Sequence, residues 1–331
     1  MKYVLKRFWI VIAIALIVNI PLLIIGTTRT NKSVMLKGDT TNIKEIVEID
    51  TNYKEEGSFS SIYVVSFDKS TIFQNLIVGN SKTSEIEDFP DYLSHLTDKE
   101  NFQAGQIQKN SSIMTAIITA YNEAKKKDSN ININYSFKSI CVSFYYQGSP
   151  FRIGDEIVKI NDVEAKNGIT DFVAELDNIE VGSKFKVIRN KEEIEITIDR
   201  TNNLFSSYPY YNIDYDTIYP SVKINSSNVG GPSGGLLQTL SIFNRLLEFD
   251  YTKGLKISGT GTMSITGKVG QIGGIKQKVY TAYDDDVDIF FCPEGDYQEA
   301  LEAYNTIKHK ERMALVSVKT FTEAIEYLEN A

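Results

Sequence analysis

The stretch Asn228-Val229-Gly230-Gly231-Pro232-Ser233-Gly234-Gly235 runs directly into Leu236, Leu237, Leu240, Phe243, Leu246 and Leu247. These apolar residues recur at helical spacing, which predicts an amphipathic helix with Ser233 at its first turn behind a glycine-rich approach. Unpaired amides and the positive end of a helix can stabilise an oxyanion there, and small neighbours let a substrate backbone come close. The same serine could also be an ordinary helix cap. A nucleophilic serine needs a base. The chain has 2 His: His309 lies in Lys308-His309-Lys310-Glu311-Arg312, a solvated run, and His95 lies far upstream in a polar helix. A lysine is the other option, provided burial brings its pKa down from about 10.4 toward neutrality.

Downstream, Ser258-Gly259-Thr260-Gly261-Thr262-Met263 leads to Gly267-Lys268-Val269-Gly270-Gln271-Ile272-Gly273-Gly274-Ile275-Lys276-Gln277-Lys278. Gly261 to Lys268 has the look of a phosphate loop, but five residues separate its glycines instead of four, and Val269 stands where Ser or Thr is required. No other stretch among the 331 residues reads as an ATP loop.

Gly231-Pro232-Ser233-Gly234-Gly235 resembles the nucleophile motif of Lon-type serine proteases, and Gly273-Gly274-Ile275-Lys276-Gln277-Lys278 resembles their lysine motif, in the family's order and near its spacing. The resemblance implies Ser233 as nucleophile and Lys278 as general base. Gly231, Pro232 and Gly234 shape the turn around the serine, and Thr260 helps hold the lysine. Lys276 matches the neighbouring lysine without a catalytic role. A following strand over Val287 to Cys292, ended by Pro293, fits the same layout, with Asp284-Asp285-Asp286 as a loop before it and Cys292 as inert core.

Upstream of this unit, the β-rich run Tyr135 to Tyr146 precedes Gly148-Ser149-Pro150 and then Arg152-Ile153-Gly154-Asp155-Glu156-Ile157-Val158-Lys159-Ile160-Asn161-Asp162. A helix over Gly168 to Leu176 and strands over Lys184 to Arg189 and Glu192 to Ile198 follow. The unit resembles a PDZ domain, whose GDxIxxxN signature is met by Gly154, Asp155, Ile157 and Asn161. The resemblance implies capture of extended peptide by strand addition. Its carboxylate-binding loop would fall near Phe137 to Ile140, which lacks the glycines of such loops.

At the other end, Lys2, Lys6 and Arg7 precede Phe8 to Ile25, an uncharged stretch of 18 residues. At helical rise that is just long enough to cross a bilayer core of about 30 Å. Arg29, Lys32 and Lys37 follow and nearly balance the charge, so the layout of a signal-anchor sets the expected orientation, with the ectodomain outside the cytoplasm; the competing reading is a cleavable signal peptide, for which no A-x-A-like site stands before Thr27-Thr28. Asn19 and Pro21 are expected at a tolerated kink. Between anchor and PDZ-like unit, Glu45 to Val65 reads as two strands around a turn at Glu55-Glu56-Gly57, and residues 71 to 126 as mostly helix ending in the solvated Lys125-Lys126-Lys127.

Composition sets the outer limits. With 42% hydrophobic, 11% aromatic and 24% charged residues the chain must bury sizeable cores and is neither wholly disordered nor fibrous. Two cysteines, Cys141 and Cys292, exclude a disulfide scaffold, and no Cys/His spacing suggests zinc. A formal charge of −8 argues against a nucleic-acid partner.

The expected architecture is a mixed α+β and α/β multidomain chain. It comprises a membrane anchor over 1–26, an N-terminal α/β extracellular segment over 27–130, a PDZ-like domain over 131–200 and a Lon-type proteolytic domain over 201–331. In this order the parts resemble the membrane-anchored PDZ-Lon serine proteases, including those that trim secreted peptide pheromones in Gram-positive bacteria. That resemblance implies an ATP-independent endopeptidase at the cell membrane, with no cofactor or metal, acting on a peptide or unfolded protein; assembly with copies of itself is left open. The rival expectations are a surface peptide-binding scaffold with a silent Lon fold, and a general quality-control protease for secreted proteins.

Overall fold

The computed structural model describes residues 2–79 and 81–331, and of residues 1–7 no side chain; the charges of Lys2, Lys6 and Arg7 thus lie outside the described residues. In chain order, α1 (Lys2–Thr27) is followed by β1 (Lys32–Asn42), β2 (Val47–Ile49), β3 (Ser58–Phe67), α2 (Ile72–Val78), β4 (Glu85–Asp88) and α3 (Asp98–Lys125). Next come β5 (Tyr135–Tyr145), β6 (Glu156–Ile160), β7 (Val163–Glu164), α4 (Ile169–Asp177), β8 (Lys184–Arg189), β9 (Glu192–Thr197) and β10 (Phe205–Ile213). The last third holds β11 (Val222–Ile224), α5 (Gly235–Leu246), β12 (Lys256–Gly259), β13 (Thr262–Met263), β14 (Val269–Gly270), α6 (Ile275–Asp284), β15 (Ile289–Pro293), α7 (Tyr297–Asn305), β16 (Ala314–Val318) and α8 (Phe321–Asn330).

The chain divides into two units: the residues up to Gly38 together with Val64–Ser94, and Asp39–Tyr63 together with His95–Ala331. In the first, the 20 residues Phe8–Thr27 of α1 are apolar and unburied, long enough either to cross a membrane or to serve as a signal sequence. The polar groups within this helix are satisfied locally: Asn19 Nδ2 donates to the Ala15 carbonyl at 2.7 Å and Thr27 Oγ1 to that of Leu23 at 2.7 Å. The start of β1, Lys32 to Met35, pairs antiparallel with β4.

The second unit is built on a parallel sheet in the order β16-β15-β12-β3. Ser58 to Ser61 of β3 lie beside Lys256 to Gly259 of β12, so the two segments read in sequence as a hairpin do not pair with each other; β2 pairs instead with β11. Helices α3 and α5 share one core with this sheet. Ile113, Ile117 and Tyr121 from α3 meet Leu236, Leu237, Leu240 and Phe243 from α5, with Phe59, Ile257 and Phe291 beneath. Each such side chain contributes about 1.5–3 kcal/mol by leaving water. Residues 71 to 126 are thus helical in two pieces with a strand between, and the segment expected as a separate N-terminal unit supplies β3 and α3 to the core of the last third.

Residues 135–213 form an antiparallel sheet in the order β10-β5-β6-β8-β9, closed by α4 over its own core of Val142, Phe151, Ile157, Phe172, Phe185 and Val187. The signature residues serve the fold here. Gly154 has φ +90°, which favours glycine; buried Asp155 takes a two-pronged bond from Arg189, 2.7 Å on each oxygen; Asn161 Oδ1 accepts from the Lys184 amide at 2.9 Å. β10, unanticipated from sequence, runs the length of β5, with Pro209 opposite Ile140 and Tyr211 opposite Phe137. The expected loop near Phe137 to Ile140 is therefore mid-strand, with its backbone committed to the ladder.

Candidate active site

The glycine-rich turn before α5 is held from both sides. From one side comes the segment that follows β12: the Gly261 amide donates to the Ser233 carbonyl at 2.8 Å, and the Leu236 amide donates to the Gly261 carbonyl at 3.0 Å. From the other comes α3. The Gly231 amide, at φ +93°, donates to the Gly105 carbonyl at 2.9 Å, and a Cβ placed on Gly230 would lie 3.1 Å from Gly105 Cα. Ser112 Oγ donates to the Pro232 carbonyl at 3.0 Å, and Lys109 Nζ donates to the Ser227 carbonyl at 2.5 Å. Only glycine permits such an approach of two backbones.

Helix α5 begins at Gly235 with Gly234 as its cap residue and no side-chain cap, so Ser233 stands two residues ahead of the first helical position and does not act as a capping serine. It is half-buried. A Cβ on Gly234 would lie 2.9 Å from Gln238 Nε2, the end of a side chain that can turn aside.

Thr260, fully buried directly after β12, links the two halves of the site. Its Oγ1 donates to the Ser233 carbonyl at 3.1 Å and accepts from Lys278 Nζ at 2.9 Å, a donor and acceptor pattern that one hydroxyl satisfies completely. Lys278 projects from the first turn of α6, which is preceded by Gly274 in the left-handed region. It is 2% exposed, and burial takes its amine from the usual 10.5 down to about 7. The Asp296 carboxylate opposes part of that fall.

The sequence reading missed Asp296 and the part played by α3, whose helix it placed within 71–126 but not beside Ser233. Asp296, buried just after β15, accepts from Gln271 Nε2 at 3.1 Å and the Ile272 amide at 2.9 Å, tying down the turn that feeds α6. An acidic residue closing Pro293-Glu294-Gly295-Asp296 behind a buried strand is the signal that could have found it. Lys276, two residues from Lys278, lies on the outer side of α6, 3.9 Å from both Glu299 and Glu302.

The histidines have other partners. His95 sits in a turn before α3, not in a helix, with Nε2 at 2.9 Å from the Tyr145 carbonyl; His309 is 77% exposed beside Glu311. Gly261 to Lys268 is the β13–β14 hairpin. Burial pushes the Cys292 thiol up to about 12, which leaves no thiolate at neutral pH.

Residues 191–329 match the Lon protease (S16) C-terminal proteolytic domain. The chain is 26% identical over 187 residues to a Lon protease of Campylobacter jejuni, covering 53% of this chain and 22% of that protein. It is 24% identical over 250 residues to a Lon protease of Chlamydia pneumoniae, 67% of this chain and 29% of that protein, and 25% identical over 151 residues to Lon protease 2 of Bacillus subtilis, 44% and 25%. It thus spans between a fifth and a third of the length of these relatives. The chain carries a Lon-type proteolytic domain, and that domain supports a serine protease.

Proposed function

We propose that this protein is an extracytoplasmic, ATP-independent serine endopeptidase that trims a secreted signalling peptide, with Ser233 as nucleophile and Lys278 as general base. The observation that carries the reading is the single Thr260 hydroxyl bonded both to a buried lysine amine and to the backbone of Ser233, at 2.9 and 3.1 Å. A buried amine that titrates at about 7 is partly neutral under physiological conditions. It takes the proton of Ser233 Oγ as that oxygen bonds to the scissile carbonyl carbon. The glycine-rich turn at the positive end of α5 offers backbone amides to the resulting oxyanion. The ammonium of Lys278 returns the proton to the leaving amine as the C–N bond breaks, and water then hydrolyses the ester on Ser233 by the same proton path.

The small glycines that flank Ser233 leave room for an extended backbone to come close, which favours short or unfolded substrates. The export reading rests on the apolar α1 ahead of the whole catalytic unit. Capture of a C-terminal carboxylate by the 135–213 sheet is no part of the reading: β10 and β6 occupy the two edges of β5, and α3 lies over β10, through Ser111 Oγ on the Pro209 carbonyl at 2.7 Å. The remaining edge, β9, carries Glu192, Glu193 and Glu195, a pattern that discourages strand addition. We assign that sheet to bracing α3 and delivering β10.

The test is labelling of the full chain by a serine-reactive phosphonate, with cleavage of secreted peptides read by mass spectrometry. Label on Ser233, lost in Lys278→Ala, together with one peptide shortened at a fixed bond, supports the reading. Absence of label overturns it in favour of a silent scaffold, and broad degradation of unfolded chains overturns the signalling role.

A further inference from the structure

In the first unit, the chain leaves α1 and is at once fastened to α2. The Ile72 amide donates to the Thr28 carbonyl at 3.2 Å, the Thr30 amide donates to the Ser70 carbonyl at 2.8 Å, and Asn75 Nδ2 reaches Thr30 Oγ1 at 3.0 Å. Every polar side chain of α2 serves this attachment or the cap. Thr71 and Gln74 close a capping box, and Asn75 Oδ1 accepts from Ser70 Oγ at 2.6 Å. What α2 turns outward is apolar: Phe73, Leu76 and Ile77, at helical spacing i, i+3 and i+4, are 49%, 64% and 62% exposed. Arg29, donating to the Asp68 and Lys69 carbonyls, places a fixed cation at the same junction.

We infer that α2 is a lipid-seating helix, its Phe73–Leu76–Ile77 face resting in the headgroup and acyl boundary of the bilayer next to the end of α1. This rests on the reading of α1 as a membrane span. Twenty helical residues from Phe8 to Thr27 cover the roughly 30 Å of a hydrocarbon core, which brings Thr28 and the α2 fastened to it to the depth where amphipathic helices lie. Continuity with that apolar surface selects lipid as the occupant. A free helix end swings on its linker, whereas a helix bonded at Thr28 and Thr30 holds the emerging chain at one angle, so the seat sets the direction in which the strands after α1 leave the membrane.

Trp9 is the sole tryptophan, which makes the test direct. The full chain and its Trp9→Phe, Leu76→Trp variant are reconstituted in phosphatidylcholine vesicles with and without acyl-brominated lipid. The expected result is loss of emission on bromination for both, with a blue-shifted spectrum and slow acrylamide quenching at position 76. Quenching of Trp9 but not of Trp at position 76 overturns the seat and leaves the span standing; quenching of neither overturns both. Shielding of position 76 from acrylamide that grows with protein concentration and ignores bromination overturns it too, because a second copy then covers the face. Ile77→Trp on the same face carries the identical reading should Leu76→Trp fold poorly.

Discussion

The two larger sheets of the second unit are built on opposite plans. In the parallel sheet, successive neighbours come from residues near 58, 257, 290 and 316, and the loops leaving the C-terminal ends of β12 and β15 supply Thr260 and Asp296. In the antiparallel sheet, pairing is mostly between near neighbours, and its motif residues Gly154, Asp155 and Asn161 stabilise turns and strands. The proposed site lies where parallel strands end together, since their C-terminal loops converge at one edge. The antiparallel sheet has no such edge, in keeping with the bracing role proposed for it.

The largest effect that could break this contrast is on turnover. Ser233→Ala and Lys278→Ala should each lower kcat/KM by a factor on the order of 10⁴ to 10⁶ with unchanged circular dichroism, since residues that act as one unit fail together. A variant retaining wild-type kcat/KM would remove that residue from the chemistry.

Next comes a paired measurement of stability. Gly259→Ala forces a Cβ to 2.5 Å from the Phe291 carbonyl oxygen inside the parallel sheet, and should cost more than about 3 kcal/mol together with most activity. Asp155→Asn in the antiparallel sheet leaves Arg189 without its charge partner and should cost about 3 kcal/mol by urea unfolding while sparing kcat on a short peptide. Equal loss of kcat in both would erase the distinction between site and brace.

The site itself was more legible than its supports. Ser233, Thr260 and Lys278 stand in short motifs that resemble those of Lon-type proteases when taken together, although each motif alone also reads as an ordinary cap or a surface helix. The helix of α3 was legible within 71–126, but its role was not: Ser111 to Tyr121 is buried almost throughout and carries Ser111, Ser112, Thr115 and Thr119 in its core, which blurs an apolar stripe. The hydroxyls of Ser111, Ser112 and Thr119 are spent on carbonyls far away in sequence, as with Thr119 on Ser264 at 3.1 Å. The β3–β12 pairing likewise joins Ser60 to Ser258, a distance no local pattern encodes.

A smaller effect concerns pH. Below about 7 the Lys278 amine is charged in folded and unfolded chains alike. Between there and 10.5 it is charged only when unfolded, so the folded chain binds fewer protons and its stability rises with pH across that window. Lys278→Met should therefore raise Tm most near pH 6, the gain shrinking toward pH 10, while wild-type kcat climbs through pH 7; a pH-independent gain would mean the amine is not desolvated. The smallest expected change is for Lys276→Ala, whose 3.9 Å pairs to Glu299 and Glu302 are half in water: under about 0.5 kcal/mol and within twofold in kcat/KM.

The Gly105–Gly231 bond has a practical consequence for anyone cutting the gene. A fragment starting at residue 191 carries every motif residue and the whole matched stretch, yet it lacks the helix on which Ser233's turn hangs and the strand β3 beside β12. Expressed alone, it should present Leu236, Leu237 and Leu240 to solvent and aggregate. Supplied with residues 39–130 as a separate chain, it has the missing helix and strand to fold against. The start of the matched family stretch, at 191, and the start of the unit that supplies its core, at 39, are more than a hundred residues apart.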